Sequence, residues 1–372
     1  MPKSYTPGLK ILECANINKK RILPLKGEVH VDRNETVDAN KVVASTKIPG
    51  NVQMLNIANE LNIDPDEVPD VMLSKIDEKV SKGQVIARSK GLFGLFKSEV
   101  KSPLNGTLGN VSDITGQAII SEDPHPIEVD AYISGKVDNI LENEGVIINS
   151  TGTFIQGIIG VGGEKKGEIV IILEDLTDSN NYDMNSLKNK IIIMKSHLSY
   201  NIYESANLAG VKGIVCGGID YQTLTNILGY PLGVAITGME NITTIIVTEG
   251  FGEISMDSRT FNLIEKYKGY FASINGATQI RAGVLRPEIF IGRDNHENNI
   301  ELFDEEKLII SIGSKIRVIR EPYFGLIGTV TKLPSELIKI DTETVVRVAE
   351  VLFDNGSKNI IPRPNLEVIL SD

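Results

Sequence analysis

The last sixty residues carry the pattern that most restricts what this chain can fold into. Aliphatic residues alternate with polar ones from residue 313 to 320, and apolar residues recur at Leu326 and Val330. A period of two predicts short, half-buried strands. Asn355-Gly356 separates two further apolar stretches and is a strong signal for a tight hairpin. The segment therefore predicts a small antiparallel β unit.

This segment resembles a KOW module, the small barrel of transcription elongation factors and some ribosomal proteins. The resemblance rests on a basic-aliphatic strand from Lys315, on Gly325 and Gly328, and on a closing strand that begins near Pro362. The two glycines are expected to allow the sharp turn between the first strands. KOW modules bind RNA, DNA or protein and are not known as catalysts, so the resemblance implies recognition.

The side chains expected to contact a partner of this unit are four cations and two aromatic rings. They are Arg317, Arg320, Lys332, Arg363, Tyr323 and Phe324. A base stacked on an exposed ring contributes about 1–3 kcal/mol, so binding does not require a strongly basic surface. The alternative places Phe324 in the core of the barrel and leaves the arginines in solvent.

Charge disfavours general binding of nucleic acid. From Gly313 onwards the chain has eight basic and eight acidic residues, and the net charge of −11 arises entirely before that point. Binding driven by phosphates needs clustered positive charge. We therefore expect a protein partner, with RNA possible through the C-terminal unit alone.

The N-terminal third contains three units in which a glycine precedes a short aliphatic strand, at Gly27, Gly106 and Gly135. Each glycine is expected to allow close backbone approach or a positive φ. The stretch 80–87 (Val-Ser-Lys-Gly-Gln-Val-Ile-Ala) and the later Ser102-Pro103 resemble the biotinyl/lipoyl-like barrel-sandwich hybrid. This resemblance implies one β-rich body, with Lys79-Val80 and Ser102-Pro103 on successive strands joined by residues 88–98.

Carrier proteins of that family modify a lysine at the tip of this hairpin. Here the tip contains Lys90 and Lys97 around an apolar, glycine-rich run, residues 91–96, which departs from the carrier pattern. We expect both lysines to be unmodified flanks of the loop. Whether the run Leu92-Phe93-Gly94-Leu95-Phe96 folds onto the core or forms an exposed patch for a partner is left open.

From about residue 190 the pattern changes to alternating strands and helices, which predicts parallel βαβ units. Residues 206–236 are similar in outline to the swivelling β/β/α domains of phosphotransfer enzymes, whose phosphorylated histidine follows a Gly-Gly turn. Here Gly217-Gly218 is followed by Ile219-Asp220, without a histidine. Further on, Arg281 and Arg286 could bind an acidic group of a partner, or pair with neighbours such as Glu288.

Catalytic patterns are weak in this sequence. The four histidines are dispersed, and the two cysteines, Cys14 and Cys216, have no metal-type spacing. We expect no metal, no cofactor and no membrane partner, and a cytoplasmic location because no apolar leader precedes the first strands. The missing motifs disfavour an enzyme, but an active site assembled from distant residues is left open.

These patterns together predict a β-rich, multidomain (α+β) protein. Its expected parts are a barrel-sandwich hybrid (1–165), an α/β swivelling-like unit (166–305) and a small SH3-like KOW barrel (306–372). The expected function is a non-catalytic scaffold or adaptor that binds a protein or a structured nucleic acid. The alternative is an accessory component of a carrier or group-transfer enzyme complex.

Overall fold

The computed structural model describes residues 10–89, 98–172, 184–231, 240, 242–278, 285–293, 310–318, 322–323, 326–340 and 345–368. Strands dominate these residues, which confirms the predicted β-rich class. Among them, no helix has both the length and the apolar character that crossing a membrane requires.

The first part of the chain consists mostly of strands with two short helices. The strands are β1 (Ile11–Ile22), β2 (Glu28–Val29), β3 (Thr36–Val37), β4 (Val42–Ile48), β5 (Val52–Asn56), β6 (Lys79–Val80), β7 (Val85–Arg88), β8 (Glu99–Lys101), β9 (Gly106–Val111), β10 (Gln117–Ser121), β11 (His125–Asp130), β12 (Gly135–Leu141), β13 (Gly145–Gln156), β14 (Ile159–Val161) and β15 (Glu164–Ile172). The helices are α1 (Ile57–Leu61) and α2 (Val68–Val71).

The middle of the chain alternates strands and helices, as the sequence predicts. It contains β16 (Ile191–Met194), α3 (Tyr200–Leu208), β17 (Gly213–Ile219), α4 (Tyr221–Leu228), β18 (Thr244–Phe251), α5 (Ser258–Glu265), β19 (Phe271–Asn275) and β20 (Glu288–Gly292). The predicted strand at 233–236 and the predicted linker at 294–299 lie outside the described residues. The four side chains of β16 are buried, as expected for a strand covered on both faces.

The described residues of the last part form short strands and one 3₁₀ turn, Arg363–Asn365. The strands are β21 (Lys315–Val318), β22 (Ile327–Lys332), β23 (Ile338–Lys339), β24 (Val345–Val346), β25 (Val348–Phe353), β26 (Lys358–Pro362) and β27 (Leu366–Val368). Five of them form one antiparallel sheet in the order β26-β25-β22-β21-β27, so the last strand returns to pair with the first. The predicted hairpin at Asn355-Gly356 is confirmed, since Gly356 has a φ of 83° between β25 and β26.

The largest sheet joins the first and middle parts of the chain. Within the described ranges its order is β14-β18-β17-β16-β15-β19-β20-β13-β12-β3, and β1 also pairs with β13. Strands β15 to β18 run parallel, whereas β19 pairs antiparallel with β15 and β20 pairs antiparallel with β19. The predicted boundary between residues 165 and 166 falls inside β15, which continues without a break from Glu164 to Ile172.

A separate sheet, β5-β10-β9-β6, forms its own core with α1, α2 and the β7–β8 hairpin. This corrects two expectations. The hairpin that leads into the loop is formed by β7 and β8, while Lys79-Val80 lies on β6 and pairs with β9. The three glycine-led units also do not share one core, because Leu108 belongs to this cluster and Val29 and Val137 belong to another.

Close backbone packing explains the three leading glycines. A Cβ atom added to any of them would lie only 2.2–2.3 Å from a carbonyl oxygen of a neighbouring strand. The three contacts are Gly27 with Ser45, Gly106 with Ser121, and Gly135 with Asn149. Because their φ values are not positive, close approach is the reason for glycine here. A Cβ atom added to Gly328 would likewise lie 2.6 Å from the Leu352 carbonyl oxygen. Gly328 lies within β22, so its predicted role in a turn is wrong.

We expect Gly106→Ala to lower the free energy of unfolding by about 1–3 kcal/mol, because the new methyl group displaces a paired strand. Gly109→Ala in the same strand is the matched control, since its Cβ would have its nearest neighbour at 3.8 Å. This control should stay within about 0.5 kcal/mol of the native protein. Urea denaturation of both variants measures the difference, and equal losses would contradict the packing explanation.

Candidate functional site

The outer side of the β25–β26 hairpin carries two exposed apolar side chains. Leu352 pairs with Lys358, and Glu350 pairs with Ile360, so these four side chains lie on one side of the two strands. We call them the hairpin face. Leu352 is 44% exposed and Ile360 is 54% exposed, whereas Val351, Phe353 and Ile361 of the same two strands are buried in the core of this sheet.

Charged side chains surround the two apolar residues of the hairpin face. Lys358 lies 2.6 Å and Lys332 lies 3.7 Å from the Glu350 carboxylate, which also accepts a hydrogen bond from Thr331 at 2.8 Å. The bonds from Lys358 and Thr331 lower the pKa of Glu350 below its ordinary value. Two cations and one carboxylate therefore leave a net positive rim around an apolar centre.

The other predicted contact residues in this part of the chain that are described below already form interactions within the chain. Tyr323 stacks on the core residue Phe353 with ring centroids 5.8 Å apart, and its hydroxyl donates to Asn359 at 3.3 Å. Arg363 donates to the carbonyl oxygens of Val348 at 3.0 Å and Pro334 at 2.8 Å. Of the predicted contacts that the structure describes in this barrel, only Lys332 keeps most of its side chain exposed, at 69%.

Several predicted residues cannot be placed. Arg320, Phe324, Arg281, Lys90, Lys97 and residues 92–96 lie outside the described residues. Arg286 is described and is half-buried just before β20. It has an interaction of its own within the chain.

Arg317 lies between two buried carboxylates. It is directly opposite Glu367 on the neighbouring strand, and its Nη2 atom is 3.0 Å from that carboxylate. Its Nη1 atom is 2.6 Å from Glu249 of β18. Burial alone would lower the pKa of Arg317, but the charges of Glu367 and Glu249 raise it above its ordinary value. We call these residues the Arg317 triad.

Glu249 owes its position to a bulge at the carboxyl end of β18. Cys216 pairs with Val247 while Gly218 pairs with Gly250, so β18 has one more residue than β17 in this interval. The Glu249 carboxylate also accepts a hydrogen bond from the Asp257 backbone N–H at 3.0 Å, at the start of α5. The Glu249 carboxylate is therefore held by interactions within the chain.

The Gly217-Gly218 segment is covered by the chain as well. A Cβ atom at Gly217 would lie 2.2 Å from the Met256 nitrogen, and one at Gly218 would lie 2.2 Å from the Gly252 oxygen. The next residue, Ile219, is fully buried. The Gly217-Gly218 pair is therefore followed by a buried side chain, and the pair itself packs against residues 252–256.

A second charged group lies where the end of β11 meets strands β1, β15 and β20 of the large sheet. Its members are Lys19 and Arg21 of β1, Asp130, Tyr132, Glu164 and Lys166 of β15, and Glu288 of β20, and we call them the Tyr132 cluster. Arg21 binds both carboxylate oxygens of Glu164, at 2.7 and 2.8 Å, and donates to the Asp130 carbonyl at 2.7 Å. Lys166 pairs with the Asp130 carboxylate, and Lys19 pairs with Glu288.

Tyr132 lies at the centre of this cluster in an unusual conformation. Its φ is 64°, which is rare for a bulky residue, and its side chain is buried. Lys19 and Arg21 lie 5.0 and 5.3 Å from the centre of its ring. Burial, together with the negative charges of Glu288 and Glu164, raises the pKa of the hydroxyl well above its ordinary value. Tyr132 therefore stays protonated. The ion pairs around it connect β11 with β1 and β15, and β1 with β15 and β20.

The cysteines and possible metal ligands give no reactive centre in the described part of the chain. Burial raises the pKa of the Cys216 thiol to about 12, so it is not a nucleophile at neutral pH. Cys14 is half-buried in β1. No group of three or more His, Cys, Asp or Glu residues is arranged to hold a metal ion within the ranges described above. The expectation of no metal or cofactor stays a prediction.

The sequence pattern singled out Arg317 as a partner contact and Glu288 as a possible ion-pair partner, but not the other residues of the two charged groups. The available signal was a charge at a position that strand alternation assigns to the interior, such as Glu249 after the apolar run 245–247. Arg21 gives a weaker signal because Lys19 and Lys20 precede it. Such charges are too common for sequence alone to select the partners.

Comparison of the sequence with protein-family models finds no match, and a search of curated proteins finds none either.

Proposed function

We propose that this protein is a non-catalytic scaffold or adaptor that binds a protein partner through the hairpin face. The observation that carries the proposal is the pair of exposed apolar residues, Leu352 and Ile360, within a rim of charged side chains. Protein interfaces commonly have an apolar centre and a polar rim. We also propose that the barrel is KOW-like, because a surface of this kind would suit such a module.

The strand order of the barrel supports this proposal. Its first and last strands pair with each other, and a short 3₁₀ turn at Arg363–Asn365 precedes the last strand. This arrangement is compatible with a small SH3-like barrel. Because Lys332 and Lys358 give the hairpin face a net positive rim, we propose a partner segment that carries apolar side chains beside a carboxylate.

A nucleic-acid partner has less support from the described residues. Arg317 is paired with two carboxylates, and Arg363 donates to backbone carbonyls. Tyr323 already stacks on Phe353, which leaves less of its ring for a base. Phosphate contacts need cations that are not already engaged, so we place RNA second.

The alternative function, an accessory component of a carrier or transfer complex, depends on the β7–β8 hairpin. Strands β7 and β8 end on either side of the interval that contains Lys90 and Lys97, which matches the position of the modified lysine in carrier proteins. An intact-mass measurement of protein from its native host distinguishes the two functions. The adaptor proposal expects the unmodified mass, and a lipoyl or biotinyl addition would favour the alternative.

We expect the double variant Leu352→Lys/Ile360→Lys to retain at most about a tenth of the partner that the native protein captures, because both apolar contacts at the centre are replaced by charges. The matched control is Ile114→Lys/Leu208→Lys, which adds the same charge at two more exposed apolar residues outside the barrel. Quantitative affinity capture from the native host, with and without nuclease, measures the effect. Equal capture by both variants, or loss of all capture after nuclease, would contradict the proposal.

A further inference from the structure

The Arg317 triad has one contact inside the small barrel and one that leaves it. The Arg317–Glu367 pair joins neighbouring strands β21 and β27 of the barrel. The Arg317–Glu249 pair joins the barrel to β18 of the large sheet. These two ion pairs therefore stabilise different things, namely the fold of the barrel and its attachment.

Arg317 and Glu249 are each held by a second interaction besides their contact with one another. Glu367 receives the Nε and Nη2 groups of Arg317, at 3.2 and 3.0 Å, which leaves Nη1 directed at Glu249. On the other side, the Asp257 N–H fixes the second oxygen of the Glu249 carboxylate. Side chains that are already oriented lose little conformational freedom when they pair.

Burial makes this contact sensitive to the loss of one partner. Glu249 is 5% exposed, Glu367 is 4% exposed, and the Arg317 side chain is 11% exposed. A buried charge without its partner is strongly unfavourable, but separation of the barrel would return Glu249 and Arg317 to water. Loss of the contact is therefore relieved most readily by movement of the barrel as a folded unit.

We infer that the Arg317–Glu249 ion pair is a latch that holds the small barrel against the carboxyl edge of the parallel strands, and that the barrel has a docked and an undocked state. The Arg317–Glu367 pair keeps β21 and β27 together in both states. This inference does not depend on the proposed partner, since it concerns the isolated protein.

Electron–electron distance measurements between two spin labels test the latch. The labels are placed at Leu208→Cys in α3 and Ile312→Cys beside the barrel, which are 82% and 68% exposed. Cys14→Ser removes the half-buried native thiol, and buried Cys216, with a pKa of about 12, resists labelling. With Glu249 present, we expect one narrow distance distribution.

Glu249→Gln is expected to add a second population at longer distance. Glutamine can still accept the hydrogen bond from Asp257, but it removes the charge that Arg317 requires. Glu249→Asp, which keeps the charge and withdraws it from Arg317, should give the same population in smaller amount. Glu350→Gln, which removes a charge on the hairpin face, should leave the distribution unchanged. The inference is overturned if both Glu249 variants keep the single narrow distribution, or if the distribution is already broad with Glu249 present.

Discussion

Replacing Arg317 by methionine is expected to lower the free energy of unfolding by about 3 kcal/mol. Removing one partner of a buried ion pair costs about 3–5 kcal/mol, because the remaining charge stays away from water. Here two buried carboxylates, Glu249 and Glu367, would both lose the positive charge of Arg317. We expect the lower end of the range because undocking of the barrel lets water reach Glu249. Chemical denaturation of the purified variant measures this loss.

The matched control for this variant is Arg347→Met, an exposed arginine of the same barrel. Its effect should stay within about 0.5 kcal/mol. In the double variant Arg317→Met/Glu249→Gln, only one of the two carboxylates that face Arg317 is still charged, so the loss should be smaller than the sum of the two single losses by about 0.5–3 kcal/mol. Strict additivity would mean that Arg317 and Glu249 are not coupled.

Replacing Arg21 by methionine is expected to lower the free energy of unfolding by about 2 kcal/mol. The variant leaves the Glu164 carboxylate and the Asp130 carbonyl oxygen without the hydrogen bonds that Arg21 donates, and it removes the ion pair between Arg21 and the Asp130 carboxylate. The cost is smaller than for Arg317 because these carboxylates are about one-third exposed, so water replaces part of the lost interaction. Thermal and urea unfolding measure the change.

Arg33→Met serves as the control for Arg21. Arg33 is exposed and donates one hydrogen bond to the Asp138 carbonyl at 3.0 Å, so its loss should change stability by no more than about 0.5 kcal/mol. If the Arg21 and Arg33 variants were equally stable, the Tyr132 cluster would not stabilise the packing of the end of β11 against the large sheet.

The elements of this fold were predictable where one local pattern decided them. The apolar run 191–194 is β16, the helical spacing after Ser199 is α3, and Asn355-Gly356 is a hairpin turn. The glycines at 27, 106 and 135 were correctly assigned to strand entries, and the structure shows that close approach to a carbonyl oxygen is the reason.

Strand pairing and charge pairing were not predictable in the same way. Lys79-Val80 looked like the partner of Ser102-Pro103 because both flank the same loop, yet it pairs with β9. Arg317 looked like a surface contact because strand alternation does not show that Glu249, 68 residues earlier, lies beside it. Contacts between distant segments depend on the arrangement of sheets, which a single sequence does not contain.

Site-specific photo-crosslinking determines whether the hairpin face contacts a protein partner. A benzophenone side chain is introduced at Ile360 of the full chain, and at Ile114 as the control because that residue is also exposed, at 85%. In the native host we expect irradiation to give an adduct at position 360 that persists after nuclease and contains peptides of a second protein by mass spectrometry, and no such adduct at position 114. Absence of a protein adduct at 360, the same adduct at both positions, or an adduct that nuclease removes would contradict the claim.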